Sequence, residues 1–261
     1  MWVLGVLLVV AAVAGFVWMR ATKSELHAMI GTETLSFPEL EELRRVSDEL
    51  GGRGGFRKVT EVVGAAHPRP EGPLIAEVSK TPCVWYRYQV EREYEHVVYR
   101  DGRRRRSKRT EKVADHTSNE GYALIDEQGR TIGVAPDGTR PEAVEQTVDR
   151  FEPYQGGDQS FELFGLRLPA LLGGSRDSTL GYRYREWLIR PGTRLYVLGE
   201  AHDNAGPLVI GKPRERGHFL IAAKTEEELR ADRTRRHKLL AAGVLIAFFG
   251  GIALTVVGIV R

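Results

Sequence analysis

The chain has 261 residues, a formal charge of +3 and one cysteine. A single thiol excludes an intramolecular disulfide and any zinc site built on several thiolates. The near-balanced charge argues against a generally basic nucleic-acid binder, and the mean hydropathy of −0.30 averages two very apolar ends over a polar middle.

Residues 1–19 carry no charge, and as a helix they span roughly 28 Å. That matches a hydrocarbon core of about 30 Å, so the segment is predicted to be a transmembrane helix. A cleaved signal peptide is the rival reading, and Ala12-Val13-Ala14 resembles a cleavage site. However, no Lys or Arg precedes Arg20, so the leading positive region is missing. Residues 20–55 read as a juxtamembrane helical segment. Ser36-Phe37-Pro38-Glu39 is a capping box with Pro in the first turn. Phe37, Leu40, Leu43, Val46 and Leu50 then form one apolar stripe, which Gly51 and Gly52 stop.

Residues 56–223 carry β signals. Stretches 56–66 and 83–99 read as strands, and Asp101-Gly102 is a hairpin turn that returns 103–113 as a partner. Residues 122–125 and 131–134 flank the turn Asp126-Glu127-Gln128-Gly129. Residues 182–189 and 195–198 flank Arg190-Pro191-Gly192-Thr193, and 218–222 closes the series. Residues 154–180 read as a long loop. Short strands with Gly/Pro turns predict a mainly β, α+β fold, a small barrel or sandwich with flanking helices between two transmembrane helices. Residues 224–238 open with the capping box Thr225-Glu226-Glu227-Glu228 and form a basic juxtamembrane helix. That helix is expected to run into a second transmembrane helix, 239–260. In this last helix Gly243, Ala247, Gly251 and Thr255 recur every four residues. Such a stripe predicts close packing on the first helix or on a second copy, a possible homo-oligomer contact through Gly243, Ala247 and Gly251.

Charge clusters in two places. Between residues 100 and 112 there are eight basic and two acidic residues; between 230 and 238 there are five and one. Arg103, Arg104, Arg105 and Arg106 in the hairpin, and Arg233, Arg235, Arg236 and Lys238 beside the membrane, are the candidate contacts for lipid headgroups or a partner. A solvated edge that blocks strand-on-strand aggregation is the plainer reading of the hairpin. Basic residues flank the inner ends of both apolar segments, which predicts a cytoplasmic central domain with both termini outside.

No catalytic constellation stands out. Gly206 to Lys212 has phosphate-loop spacing, but Pro213 follows where a hydroxyl is needed and no helix is expected. Gly51-Gly52-Arg53-Gly54-Gly55 lacks the context of a dinucleotide fingerprint, and Gly173-Gly174-Ser175-Arg176 lacks a glycine of a nucleophile elbow. His96 and His116 could face each other across the hairpin, beside Asp115. Cys83 opens an aromatic strand and reads as a buried small hydrophobe. Glu186 reads as half-buried, paired with an Arg or capping the Pro191-Gly192 turn. No catalytic residue, metal ligand or cofactor is assigned, and no nucleic-acid partner is expected.

Several segments together carry a resemblance. They are Thr81-Pro82-Cys83-Val84-Trp85-Tyr86, the Tyr122 to Gly129 hairpin, Glu186-Trp187-Leu188-Ile189-Arg190-Pro191-Gly192, Leu195 to Gly199, and Phe219-Leu220-Ile221 before an acidic helix. With the two anchors they resemble the GIDE family, best known as mitochondrial outer-membrane ubiquitin and SUMO ligases. The resemblance implies a membrane-flanked β domain for recognition or regulation, facing the intermembrane space in eukaryotic members. It also implies ligase activity in a RING finger after the second membrane helix. With Cys83 alone, no RING residue can be carried over, and the pattern points to a prokaryotic member. The expectation is a membrane-anchored, non-catalytic binding module that recognises a partner protein or lipid headgroups. The alternatives are a ligase-like transferase or an unrecognised membrane enzyme.

Overall fold

A computed structural model of the chain describes residues 2–100, 103–154, 162–163, 166–167, 178–204, 206–215 and 217–260. In chain order the elements are α1 (Trp2–Gly31), α2 (Phe37–Glu49), β1 (Arg57–His67), β2 (Leu74–Ile75), β3 (Pro82–Cys83), β4 (Trp85–Arg100), β5 (Arg103–Thr117), β6 (Tyr122–Ile125), β7 (Thr131–Val134), β8 (Glu145–Pro153), β9 (Glu162–Leu163), β10 (Leu166–Arg167), β11 (Ser178–Ile189), β12 (Arg194–His202), β13 (Val209–Gly211), β14 (Leu220–Ala222) and α3 (Glu226–Val260). The Asp101-Gly102 turn, most of the 154–180 loop and Gly173 to Arg176 lie outside the described residues.

Five strands close on themselves in the order β1-β6-β7-β13-β12, with β12 returning to β1. Every neighbouring pair is antiparallel except β7 and β13, which run parallel. Taken as barrel strands one to five, the order is 1-2-3-5-4-1, the connectivity of an OB-type Greek-key barrel. Alternation explains the interior. On β1, Thr60, Val62 and Ala66 are buried; Tyr122, Leu124, Ile132, Val134, Leu195, Val197 and Ile210 join Val62 and Ala66 in one core. Trp85 and Ile189 also enter that core and tie the rest of the domain to it.

β1 pairs with β6 only over Ala65–His67, so the barrel is open along the rest of that edge. Helix α2 fills the opening. Its capping box forms as expected, with the Ser36 amide donating to Glu39 Oε2 at 2.7 Å. Phe37 and Leu40 are buried in the barrel core. Glycine at 64 permits this, because a Cβ there would sit 3.1 Å from the Phe37 ring and 3.0 Å from Leu124 Cβ. The remainder of the expected stripe is not buried: Leu43, Val46 and Leu50 are exposed. The barrel edge ends before the helix does.

The two long connections of the barrel build a second, open sheet of order β5-β4-β11-β8. β4 and β5 come from the connection between β1 and β6; β8 and β11 come from the one between β7 and β12. β4 pairs with β5 from Arg87↔Thr117 out to Arg100↔Arg103, with a register shift between Val90 and Glu91. β11 covers β4 only as far as Glu95↔Ser178, so the outer hairpin is a two-stranded ribbon.

Helices α1 and α3 pack along each other. α3 is unbroken from Glu226, where Thr225 and Glu228 form the expected capping box. Its exposed and half-buried positions alternate in a 3–4 rhythm through Arg233, His237, Leu240, Val244, Ala247, Gly251 and Leu254, the seam of a coiled-coil-like pair. Gly251 and Gly5 meet at that seam: a Cβ on Gly251 would lie 2.9 Å from the Gly5 carbonyl. Gly15 likewise packs on Val244. Gly243, by contrast, has open space. The four-residue stripe therefore divides, with Gly251 spent on α1 of the same chain. Among the described residues one helix is long and apolar enough to cross a bilayer, within Glu227–Gly258; the first helix offers a shorter apolar stretch, Gly5–Val17.

Candidate functional site

The outer β4–β5 hairpin concentrates charge on a rigid ladder, and its two faces differ. One face carries Glu91, Glu93, Glu95 and Val97 of β4, and across from them Lys112, Thr110, Lys108 and Arg106 of β5. Its carboxylates are answered. Glu93 pairs with Lys108 and, at 3.5 Å, with Arg183. Glu95 lies 3.4 Å from Arg106, and Glu91 lies 3.0 Å from Arg185. Lys108 first, then Arg183, holds the Glu93 carboxyl below its usual range.

The other face begins in an apolar cluster around Val90 and Tyr184, with Tyr88, Val148 and Tyr182 packed on it. Farther out, Arg92 stacks its guanidinium 4.9 Å from the Tyr94 ring centroid. Next come the pairs Tyr94↔Arg109, His96↔Ser107, Val98↔Arg105 and Arg100↔Arg103. Beyond Glu111 no carboxylate shares these positions. Arg105 and Arg109 are exposed and make no ion pair with the described residues. Of the four hairpin arginines singled out from sequence, Arg106 is paired with Glu95, Arg105 is unpaired and exposed, and the side chains of Arg103 and Arg104 lie outside the described residues.

The juxtamembrane set divides too. Arg233 is engaged, donating to Glu142 Oε1 at 3.0 Å with its side chain only 13% exposed. Arg235, Arg236 and Lys238 are exposed. Leu229, one turn before Arg233, is buried against Tyr196, Leu198 and Ala222, so the base of α3 is fixed to the barrel.

The groups considered for chemistry do not converge. Glu186 is fully buried, neither half-exposed nor paired with an arginine. It accepts from the amides of Val78 at 2.7 Å and Ser79 at 2.9 Å and so clamps the β2–β3 segment onto β11. Cys83 lies beneath this clamp, and burial, then the Glu186 charge, pushes its thiol up to about 12. His96 sits opposite Ser107, while His116 sits opposite Tyr88 and stacks on it with centroids 5.4 Å apart. The two histidines therefore do not face each other. Asp115 is held down at about 2, mainly by Arg87 and also by Lys112. Gly206 to Lys212 forms the end of a loop and β13, with no helix after it. Among the described residues no group of three or more His, Cys, Asp or Glu could hold a metal ion. A cleft of about 480 Å³ lies between Phe37, Val63–Ala65 and the β6–β7 turn, and its rim carries the Arg130–Asp126 pair and Arg194.

A family model described as GIDE, E3 Ubiquitin ligase, matches residues 91–258. The chain belongs to the GIDE family. The match opens inside β4, runs through the basic hairpin and the later barrel strands, and ends in the apolar part of α3. The GIDE signature thus contains the hairpin and the C-terminal helix together. The expected prokaryotic origin is not borne out by this match. No curated protein matches, and no solved structure matches.

Proposed function

We propose that this GIDE chain is a membrane-anchored binding module that presents the arginine face of its β4–β5 hairpin to an acidic protein partner. The observation that carries this reading is the difference between the two hairpin faces. One face neutralises its own carboxylates, while the other ends in Arg105 and Arg109 with no counter-charge among the described residues. Unanswered guanidiniums on a stiff two-stranded ribbon are suited to carboxylate recognition, because the fork geometry is fixed and the strands supply regular spacing. Basic residues at the inner ends of both apolar segments favour a two-pass anchor with the barrel in the cytoplasm; protease protection in sealed vesicles reads that orientation directly.

The test is site-specific photocrosslinking in native membranes. A photoreactive residue at Arg105 is expected to give a salt-sensitive adduct with an acidic protein, and Arg109→Gln is expected to abolish it. The same probe at Lys108, on the neutralised face, is expected to give none. Equal adducts from both faces, or none from either, overturn the reading.

The family description favours a second reading, a role in ubiquitin transfer. Cys83 is the only thiol in these 261 residues and is fully buried. Any transfer chemistry would therefore come from outside these residues, with this domain as its membrane-bound recognition part. Incubation with activating and conjugating enzymes separates the two: ubiquitin chains made by this chain alone would displace the binding-module reading.

A further inference from the structure

One end of the barrel carries apolar surface that nothing among the described residues covers. Leu50, at the C-terminal end of α2, is 84% exposed, and Leu43 and Val46 on the same stripe are 41% and 43% exposed. The glycine-rich turn Gly51 to Gly55 follows and brings Arg53 to the same place. This end is rigid. The Asp203 carboxylate, just past β12, accepts from the amides of Phe56 at 3.0 Å and Gly54 at 3.3 Å. Arg44 reaches the Gly206 carbonyl, and Arg57 reaches Asn204.

The helices fix which way this end points. α3 passes over β12 and β14 with Leu229 beside Tyr196 and Ala222; one turn on, Arg233 lines a small cavity with Leu198, His218 and Phe219. It therefore climbs in the direction in which β12 runs, from Arg194 toward His202 and Asp203. The last residues after α1 agree: the Glu33 carbonyl accepts from Glu61 N and Thr60 Oγ1, in the half of β1 that pairs with that end of β12. The heights match as well. From Leu198 to Asp203 a strand rises about 16 Å. From Leu229 to Leu239, where the uncharged stretch begins, a helix rises about 15 Å.

We propose that the Leu50–Gly55 tip seats in the headgroup layer of the bilayer in which α3 is anchored, with Leu50 entering the acyl boundary and Arg53 at the phosphates. The barrel then stands on the membrane at two points, α2's tip and the helix pair, and the hairpin is held at a set attitude to the surface. This rests on the membrane-anchored reading above. An exposed leucine beside a short glycine turn that carries an arginine is the chemistry of an interfacial contact, and the neighbouring Glu49 is answered by Arg45 at 3.3 Å.

The experiment labels Leu50→Cys with an environment-sensitive fluorophore in the full chain, reconstituted in vesicles of zwitterionic lipid containing one-fifth anionic lipid. Cys83 stays unlabelled because it is buried and its thiol titrates at about 12. Two further variants serve as references: Glu127→Cys in the β6–β7 turn, and Ile252→Cys in α3. The Leu50 label is expected to lose most of its emission to shallow nitroxide lipids and to be several-fold less quenched by iodide than the Glu127 label. Iodide quenching equal to that at Glu127, with the Ile252 label quenched by nitroxide lipid, overturns this inference and leaves the anchor standing. Protection from iodide without nitroxide quenching means that protein covers Leu50, which also overturns it. An Ile252 label untouched by nitroxide lipid removes the membrane anchor and the inference with it.

Discussion

The two sheets of this domain solve the same problem in opposite ways. The barrel closes its strand edges and fills its interior with Val62, Leu124, Ile132, Leu195 and Ile210, all at or near zero exposure. The β5-β4-β11-β8 sheet stays open and covers one face with ion pairs: Arg183 to Asp149 at 2.7 Å, Arg185 to Glu91 at 3.0 Å, Glu93 to Lys108. Burial of apolar area carries the barrel. Exposed ion pairs contribute little each, typically about 0–1 kcal/mol, so the open sheet is held by its backbone ladder, by the apolar cluster around Val90 and Tyr184 on its other face, and by Trp85 and Ile189 anchored in the barrel. A stable body and a charged, extended ribbon are thereby kept separate.

That contrast can be broken at its strongest point first. Leu40→Ala empties the side chain that closes the barrel slot, and the expected loss is about 2–5 kcal/mol, as for other fully buried leucines. Denaturant unfolding of the detergent-solubilised chain checks it; a change under about 1 kcal/mol would mean that α2 is not a structural plug. Next is the seam between the sheets. Glu186→Ala removes the acceptor for the buried Val78 amide and the half-buried Ser79 amide, at a cost of about 1–3 kcal/mol for the buried group left unpaired. The β2–β3 segment should loosen, and Cys83 should become alkylated at neutral pH, where the unaltered chain is inert; a maleimide time course reads this. Smallest is the open sheet's own electrostatics. Asp115 titrates at about 2 in the folded chain against an ordinary 3.8, so its stabilising effect is complete above that ordinary value and is lost as pH falls through the folded one. Asp115→Asn should lower the melting temperature at neutral pH, where the carboxylate's effect is complete, leave it nearly unchanged below the folded value, and so flatten the acid limb between the two.

Sequence patterns reached the local structure and stopped at the long-range pairings. β6 and β7 coincide with the expected strands because a turn with Gly129 at φ 81 sits between two apolar alternations. β8 was not foreseen: Glu145–Pro153 is polar on both sides and mostly exposed, as befits an edge strand. Barrel closure joins Arg57 to His202 across the whole domain, and no local pattern encodes that pairing. Glu186 was visible as a carboxylate in an apolar strand, but its partners, Val78 and Ser79, lie in a distant turn that folds over it. The basic hairpin was legible from composition. Which arginines stay unanswered depends on the register and on the shift at Val90/Glu91, which only the paired strands reveal.

Both proposals, for the hairpin and for Leu50, presuppose that the chain is attached to a bilayer through its apolar C-terminal helix. The most direct measurement is alkaline carbonate extraction of membranes carrying the full chain, followed by flotation on a density gradient. The chain is expected to stay with the lipid and to float with it. Release into the supernatant, with the barrel still folded, contradicts the membrane anchor on which both readings depend.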